Sequence, residues 1–186
     1  VVIDVGAHVG TYTIPIAHRV GASGTVISVE PSPISQILYK NVKMNGLKNC
    51  VIIKKAAWSR RTKLEFHYNL RRTGISSCAP KRGSYTPIGV EEVARIEVEA
   101  APLDDMVKEM DCPINAIKLL KIDVEGGEVE VLKGATNILR TTQHVVFEAS
   151  KEHTLSSCLG LLPKDFTVLF VEDRPTNNFI ASRINH

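Results

Sequence analysis

Residues 1–21, VVIDVGAHVGTYTIPIAHRVG, decide the fold of this chain. A short apolar run ends at a glycine turn, and apolar side chains then recur at helical spacing until Gly21. Pro15 stands about one turn into that helix, where a missing N–H removes at most an early hydrogen bond. The pattern predicts a strand, a turn and a helix, which is the opening unit of an α/β sheet.

The same alternation continues along the chain and predicts further strands and helices. Strands are expected at 25–30, 50–54, 63–68, 94–100, 116–123 and 143–148, and helices at 33–45, 103–110, 128–139 and 152–162. Alternating strands and helices indicate parallel strands joined by crossover helices. The last two strands, 166–171 and 178–182, are joined by a turn around Pro175 that is too short for a crossover, so they must pair antiparallel. The predicted fold is therefore α/β, a doubly wound and mostly parallel sheet that ends in an antiparallel hairpin.

The composition is that of an ordinary soluble domain. Of the 186 residues, 44% are hydrophobic and 23% charged, which excludes disordered and collagen-like chains. The apolar runs are strand-sized, and none approaches the ~18 residues that a membrane-spanning helix requires. A chain of this length can bury one sizeable core, so we expect a single domain over residues 1–186.

The four cysteines, at 50, 78, 112 and 158, stand far apart, with neither a CxxC pair nor histidines at zinc-ligand spacing. This spacing argues against a disulfide framework and a structural zinc site, and it favours a reducing, cytoplasmic location. The sequence also begins directly on an apolar strand, without an initiator Met or a signal peptide. We therefore expect that the natural protein continues upstream of Val1.

Charge is distributed unevenly along the chain. Residues 54–82 hold nine Lys or Arg side chains and one acid, Glu65, so this segment carries +8 and leaves −5 for the rest of a chain of net charge +3. Gly, Ser and Pro are frequent there, which predicts an exposed, irregular basic insertion over 59–93. Aromatic residues among the cations keep RNA binding open as a function of this segment. A solvated loop is the plainer interpretation.

The glycine turn after the first strand carries the first functional signal. In a dinucleotide-binding GxGxxG turn counted from Gly6, the second and third glycines would stand where this chain has His8 and Thr11. A pyrophosphate would fit such a turn badly, whereas a nucleoside with an amino-acid tail would fit. Glu30 ends the next strand and is followed by Pro31. A carboxylate at that point can accept hydrogen bonds from both hydroxyls of a ribose.

A second signal lies in KIDVEGG, residues 121–127. A central parallel strand is normally apolar throughout, yet Lys121, Asp123 and Glu125 alternate along this strand and its exit. A cation between two acids at the ligand end of a strand is a candidate acid–base or acceptor-binding group. Glu148 ends the next strand, VVFE, and is expected to open into the same crevice.

These motifs, in this order, resemble the FkbM-type methyltransferases. The resemblance rests on VVIDVGAHVGTYT, the acid of SVEPSP, AAWS after the third strand, LDD at 103–105, and LLKIDVEGGEVEVLKGATNIL followed by VVFE. It implies the class I methyltransferase fold, a Rossmann-like seven-stranded sheet, S-adenosylmethionine as the methyl donor, and methylation of an acceptor, commonly on a hydroxyl oxygen.

The resemblance also implies a set of donor-binding residues. Glu30 would hold the ribose, with Pro31 beside it, and Ala57 would lie beside the adenine. The methionine and sugar side of the pocket would be formed by Asp4, Gly6, Ala7, His8, Gly10 and Thr11. Trp58 departs from the smaller aliphatic residue expected at its position. It could border the adenine or fill the core, and the sequence favours the core.

For the reaction itself we expect Asp123 to act as the base or to orient the acceptor. Lys121 would neutralise charge, and Glu125 or Glu148 would hold the substrate. Spacing alone leaves open whether these acids bind a divalent cation, so a metal stays unassigned. The expected acceptor is a sugar, lipid or small molecule. Three alternatives remain at this stage: an RNA methyltransferase that uses the basic segment, a nicotinamide-dependent oxidoreductase on a similar sheet, and a non-catalytic relative that binds the donor without turnover.

Overall fold

The computed structural model describes residues 1–69, 93–110, 116–149, 152–172 and 177–184. In chain order these residues form β1 (Val2–Val5), α1 (Thr13–Val20), β2 (Val26–Val29), α2 (Ser35–Met44), β3 (Cys50–Ile53), β4 (Ala56–Ala57), β5 (Thr62–Asn69), β6 (Val93–Ala101), α3 (Leu103–Lys108), β7 (Ile117–Ile122), α4 (Glu128–Lys133), α5 (Thr136–Thr141), β8 (Thr142–Ala149), α6 (Glu152–Leu161), β9 (Phe166–Glu172) and β10 (Asn177–Arg183).

A seven-stranded sheet with the order β3-β2-β1-β7-β8-β10-β9 forms the centre of the molecule. The first five strands in that order are parallel, while β10 runs antiparallel to both β8 and β9. The sequence-based fold class is confirmed, including the antiparallel hairpin at the end. Strand order reverses between β1 and β7, the position where doubly wound sheets place their ligands.

The central strands are apolar because helices cover both faces of the sheet. All four residues of β1 and of β2 are buried, and the core continues through Leu120 and Ile122 of β7. At the hairpin end the rings of Phe147 and Phe179 stack with centroids 5.6 Å apart. Asp4 and Lys121 are exceptions to the apolar pattern, and they are direct register partners on β1 and β7.

The helix predicted over 128–139 is wrong in one respect, because the structure divides it into α4 and α5. The break falls at Gly134, where an added Cβ would lie 2.1 Å from the Trp58 carbonyl oxygen. The chain after β4 therefore occupies the space that a side chain at 134 would need. Asp104 then caps the N-terminus of α5, because its carboxylate accepts hydrogen bonds from the backbone N–H groups of Asn137 and Ile138.

A second, three-stranded sheet with the order β4-β6-β5 lies beside the main one. Its strands β5 and β6 pair antiparallel and confirm the two strands expected at 63–68 and 94–100. Arg61 ties this sheet to α3 through ion pairs of 2.8 Å to Asp105 and 2.7 Å to Glu109. Most of the predicted basic insertion, residues 70–92, lies outside the described residues.

Among the described residues, no helix combines the length and apolar character needed to cross a membrane. Cys50 and Cys158 are free thiols, whereas residues 78 and 112 lie outside the described ranges. Burial raises the pKa of the Cys158 thiol to about 12, with Glu128 as a further cause.

Candidate functional site

A cleft opens at the carboxyl ends of β1, β2 and β7, next to the point where strand order reverses. One side of it comes from the main sheet and the other from the three-stranded sheet. Its lining residues are Val5, Gly6, His8, Val29, Glu30, Pro31, Ala56, Ala57, Trp58, Phe66, Asp123, Val124, Glu125 and Gly127.

The floor of the cleft is the turn after β1, and Gly6 is required there for two reasons. Its φ is +80°, a left-handed conformation that favours glycine. An added Cβ would also lie only 1.8 Å from the backbone oxygen of Asp123. This close approach brings the exit of β7 directly against the turn, so two motifs far apart in sequence share one edge of the site.

Glu30 is held at the mouth of the cleft by backbone donors. Its side chain is 6% exposed, and its two oxygens accept hydrogen bonds of 3.0 Å each, Oε2 from His8 N–H and Oε1 from Ser32 N–H. The carboxylate is thereby fixed between the glycine turn and the loop that leads to α2. Since an ionised carboxylate offers about four acceptor positions, it can still accept hydrogen bonds from ligand hydroxyls.

What we term the polar wall consists of Asp123 and the two side chains behind it, Lys121 and Asp4. The Lys121 ammonium lies 3.1 Å from Asp4 Oδ1 and 3.5 Å from Asp123 Oδ2. Asp4 is fully buried, and its other oxygen accepts a 2.7 Å hydrogen bond from the Thr13 hydroxyl, which in turn lies 2.9 Å from the Ser28 hydroxyl. Three neighbouring elements therefore fix the anchor of this wall.

Asp123, Glu125 and Glu148 also form an acidic cluster at this edge. One carboxylate oxygen from each lies within 4.8 Å of the others, and all three residues are partly buried. Oxygen ligands of this kind suit a hard divalent cation, but they equally suit the hydroxyl of an acceptor. The carboxylates alone do not assign a metal, because acidic clusters are common without one.

The apolar wall consists of Ala57, Trp58 and Phe66, contributed by β4, the residue after it and β5. Phe66 is 6% exposed and packs with Trp58 in the small core of the second sheet. The neighbouring Ser59 hydroxyl donates a hydrogen bond to the Glu130 carboxylate on α4. Lys133 and then Ser59 lower the pKa of that carboxylate through their hydrogen bonds, so the acceptor stays ionised and the segment stays attached to α4.

The structure brings many of the predicted residues into the cleft, although some lie behind it. Predicted residues that line it are Gly6, His8, Glu30, Pro31, Ala57, Asp123 and Glu125. Others lie beside or beneath the lining, with Asp4, Ala7, Gly10 and Lys121 buried, Glu148 partly buried and Thr11 exposed. Gly10 has a packing reason of its own, since a Cβ there would lie 2.8 Å from a Leu38 methyl group.

Sequence reasoning missed part of the apolar wall. Trp58 does both things that the sequence allows, since it packs in the core of the second sheet and also lines the cleft, and Phe66 beside it is a lining residue that the sequence does not indicate. An alternating strand such as 62–69 gives no sign of which of its apolar side chains will meet a ligand, because that depends on how the second sheet docks. The tryptophan directly after AA, at the carboxyl end of a short strand, was the one available signal.

The arrangement can bind a ligand with three chemically different parts. Glu30 suits a diol, and the apolar wall suits a flat aromatic ring. At the floor, the glycine turn lets the remaining part of the ligand approach the backbone closely. The polar wall and the acidic cluster then face the far end of such a ligand, where they could accept a proton or a hydrogen bond from a second molecule.

Comparisons with known proteins identify the family to which this chain is similar. Residues 4–175 match the family model described as the methyltransferase FkbM domain. Methyltransferase sdnD of Sordaria araneosa is 27% identical over 157 residues, which cover 72% of this chain and 59% of that protein. The chain therefore spans somewhat more than half the length of this curated relative.

Two solved structures share the fold. Methyltransferase FkbM from Methylobacillus flagellatus superposes with a TM-score of 0.61 at 18% identity, covering 97% of this chain and 42% of that one. An O-methyltransferase from Bacillus cereus, solved in complex with SAH, gives a TM-score of 0.58 at 10% identity and covers 99% and 73%. At these identities the likeness concerns the fold alone.

Proposed function

This chain belongs to the FkbM methyltransferase family, and from that premise we propose that it transfers a methyl group from S-adenosylmethionine to a hydroxyl oxygen of a sugar, lipid or small-molecule acceptor. Membership of a methyltransferase family disfavours the nicotinamide-dependent alternative, as does the side chain of His8 at the position where a pyrophosphate would need glycine.

One observation carries the donor assignment, which is the position of Glu30. Its carboxylate lies at the carboxyl end of β2, in the wall of the cleft, and is oriented by two backbone N–H groups. A ribose whose two hydroxyls reach this carboxylate would place its base toward Ala57 and Trp58. The methionine part would extend over the Gly6 turn toward Asp123.

In this proposal the chain acts mainly by positioning. Methyl transfer from a sulfonium is an in-line displacement, which requires donor and acceptor atoms to be held about 3–3.5 Å apart. Asp123, which is 38% exposed in the cleft, accepts the proton of the acceptor hydroxyl or orients it. Lys121 balances the charge of Asp123, while Glu125 and Glu148 contact the acceptor.

The acidic cluster also bears on the class of acceptor. Asp123, Glu125 and Glu148 meet at the acceptor end of the cleft, with the Lys121 ammonium behind them. An acceptor rich in phosphate would be repelled there, whereas hydroxyl groups can donate hydrogen bonds to the carboxylates. Within the described residues this balance favours an uncharged hydroxylated acceptor over RNA.

The donor assignment is tested by calorimetry with S-adenosylmethionine and the Glu30→Gln variant. The amide nitrogen of Gln would face one of the two backbone N–H donors and could no longer accept from a ribose hydroxyl. We expect donor affinity to fall about 30-fold, or roughly 2 kcal/mol. Glu65→Gln, an exposed carboxylate on β5, is the control and should leave the affinity unchanged.

Donor analogues without the ribose hydroxyls separate recognition from folding. Wild-type protein should lose affinity for the 2′,3′-dideoxy analogue, while Glu30→Gln should bind both ligands equally weakly. If wild-type protein binds the two ligands alike, Glu30 does not hold the ribose. Absence of heat with S-adenosylmethionine itself would contradict the donor assignment altogether.

The acceptor class is tested separately by radiolabelled methyl transfer to panels of sugars, glycolipids, hydroxylated small molecules and RNA. We expect product only with hydroxylated acceptors, with the label on oxygen. Incorporation into RNA that falls steeply with salt would reverse this expectation.

A further inference from the structure

Tyr12 stands at the edge of the site without a role in the scheme above. It precedes α1, and 54% of its surface is exposed. The centre of its ring lies 4.6 Å from the Lys121 ammonium nitrogen. That distance is within the range in which a cation is attracted to the face of an aromatic ring.

The Lys121 ammonium is thus surrounded on several sides. Asp4 lies behind it, Asp123 lies toward the cleft, and the Tyr12 ring lies on a further side. The lysine side chain remains only 9% exposed. Because the Tyr12 ring is itself 54% exposed, it lies between the ammonium and solvent on its own side, where water would otherwise compete with the two carboxylates for the ammonium protons.

We infer that Tyr12 is a positioning residue of the methyl-transfer site, which acts by covering the Lys121 ammonium and so fixing the orientation of the Asp123 carboxylate. This inference rests on the proposed function, since it assigns Asp123 to the acceptor. The contact with Asp123, at 3.5 Å, is longer than the contact with Asp4, at 3.1 Å. Of the two carboxylates, Asp123 is therefore the one whose position depends most on the ring.

The chain supplies a matched control. Tyr39 on α2 is also 54% exposed, and the Lys43 ammonium lies 5.5 Å from its ring centre. This second pair also joins a lysine to a tyrosine of the same exposure, but Lys43 is itself exposed, whereas Lys121 is buried beside Asp4 and Asp123. A general effect of removing a surface tyrosine should appear equally in both variants, whereas a positioning effect should appear only at residue 12.

The contact itself is tested by NMR spectra of the lysine ammonium groups in the full chain, which need neither donor nor acceptor. The ammonium protons of Lys121 should resonate upfield because of the ring current, and they should exchange slowly with water. In Tyr12→Leu this signal should shift downfield and be lost to exchange. Phe in place of Tyr12 should restore it. A Lys121 signal unchanged in Tyr12→Leu would overturn the inference.

The consequence for Asp123 is tested in the same samples and by turnover. Replacing residue 12 with phenylalanine bearing one, two or three ring fluorines weakens the attraction to a cation while keeping the shape of the ring. Along this series the Asp123 carboxyl carbon shift should move in steps. Turnover should fall stepwise, to about tenfold below that of the unfluorinated ring. Donor affinity should be unchanged throughout, as should turnover in Tyr39→Leu.

The results distinguish this inference from the proposed function. If the ammonium signals behave as expected but no acceptor is methylated, the contact stands and the reaction assignment fails. The positioning role of Tyr12 would be contradicted if the Asp123 carboxyl carbon shift and the turnover did not change with ring fluorination. It would also be contradicted if both changed equally in Tyr39→Leu.

Discussion

The polar wall and the apolar wall of the cleft differ in how the protein builds them. Asp4 and Lys121 belong to adjacent strands of the main sheet, Asp123 directly follows β7, and ion pairs of 3.1 and 3.5 Å join the three. Ala57, Trp58 and Phe66 come from a second sheet that only packs beside the first. The first wall is fixed by strand register, and the second by the docking of one sheet against helices of the other.

This difference in construction suggests that the two walls have different functions. A wall fixed by register holds charged atoms in place to a fraction of an ångström, which proton transfer and alignment require. A wall formed by docking offers area and shape, which suits the binding of a flat ring but not the placement of one atom. We therefore expect changes in the polar wall to affect the reaction and changes in the apolar wall to affect donor affinity.

The largest expected effect is that of Asp123→Asn. An amide cannot take up the acceptor proton, so methyl transfer should fall by roughly 10²–10⁴-fold. Donor affinity should persist because Glu30 and the apolar wall are unchanged. Transfer of labelled methyl groups, measured together with donor calorimetry, checks both expectations.

Asp105 provides a close control for that variant. Its side chain is 38% exposed, as is that of Asp123, and it is likewise ion-paired, with Arg61 at 2.8 Å, but it lies on α3 outside the cleft lining. Asp105→Asn should leave transfer unchanged. Equal losses in the two variants would mean that Asp123 has no special part in the reaction.

The second expected effect concerns stability and tests the rigidity of the polar wall. Lys121→Met would leave the buried Asp4 carboxylate without its cation, with an expected loss of about 3–5 kcal/mol in the free energy of unfolding. Urea denaturation measures this loss. Combining Lys121→Met with Asp4→Asn should recover much of it, because no buried charge then lacks a partner.

Lys118 is the control for this comparison, because it lies on the same strand but is exposed, and its ammonium donates a 2.8 Å hydrogen bond to the neutral side chain of Gln143. Lys118→Met should change the unfolding free energy by less than about 0.5 kcal/mol. A similar loss at both positions would show that the ion pair with Asp4 adds nothing specific.

The sequence predicted the polar wall better than the apolar wall for a physical reason. Charged residues at the ends of strands that should be apolar are conspicuous, so Lys121 and Asp123 stand out as candidates from the local pattern alone. The parallel sheet and its final hairpin followed from alternation and connection length. Local sequence patterns do not show that Asp4 and Lys121 are register partners, because the adjacency of β1 and β7 depends on the topology of the whole sheet.

The apolar wall lacked such signals. Trp58 and Phe66 resemble any other core residues in sequence, and what places them in the cleft is the pairing of β4, β5 and β6 into a separate sheet. The break between α4 and α5 arises from the same docking, since Gly134 lies against the Trp58 backbone. A glycine inside a predicted helix is the local signal of such an interruption.

The smallest of these effects, and the most direct test of the apolar wall, is that of Trp58→Leu. Leucine keeps an apolar side chain but removes the flat ring against which the adenine would pack. Contacts between a base and an aromatic ring contribute about 1–3 kcal/mol, so donor affinity should weaken about tenfold. Turnover at saturating donor should be unchanged, because the polar wall is not touched. Because Trp58 is the only tryptophan in the chain, donor binding to the unmodified protein should also alter its fluorescence.

Two further variants serve as controls for Trp58→Leu. Phe at residue 58 should bind donor with intermediate affinity, since it retains a ring of smaller area. Phe166→Leu removes an aromatic ring that packs on Arg183 at the far edge of the main sheet, and donor affinity should not change. If Trp58→Leu lowered turnover but not affinity, the wall formed by docking would be positioning the reaction, and the proposed separation between the two walls would be wrong.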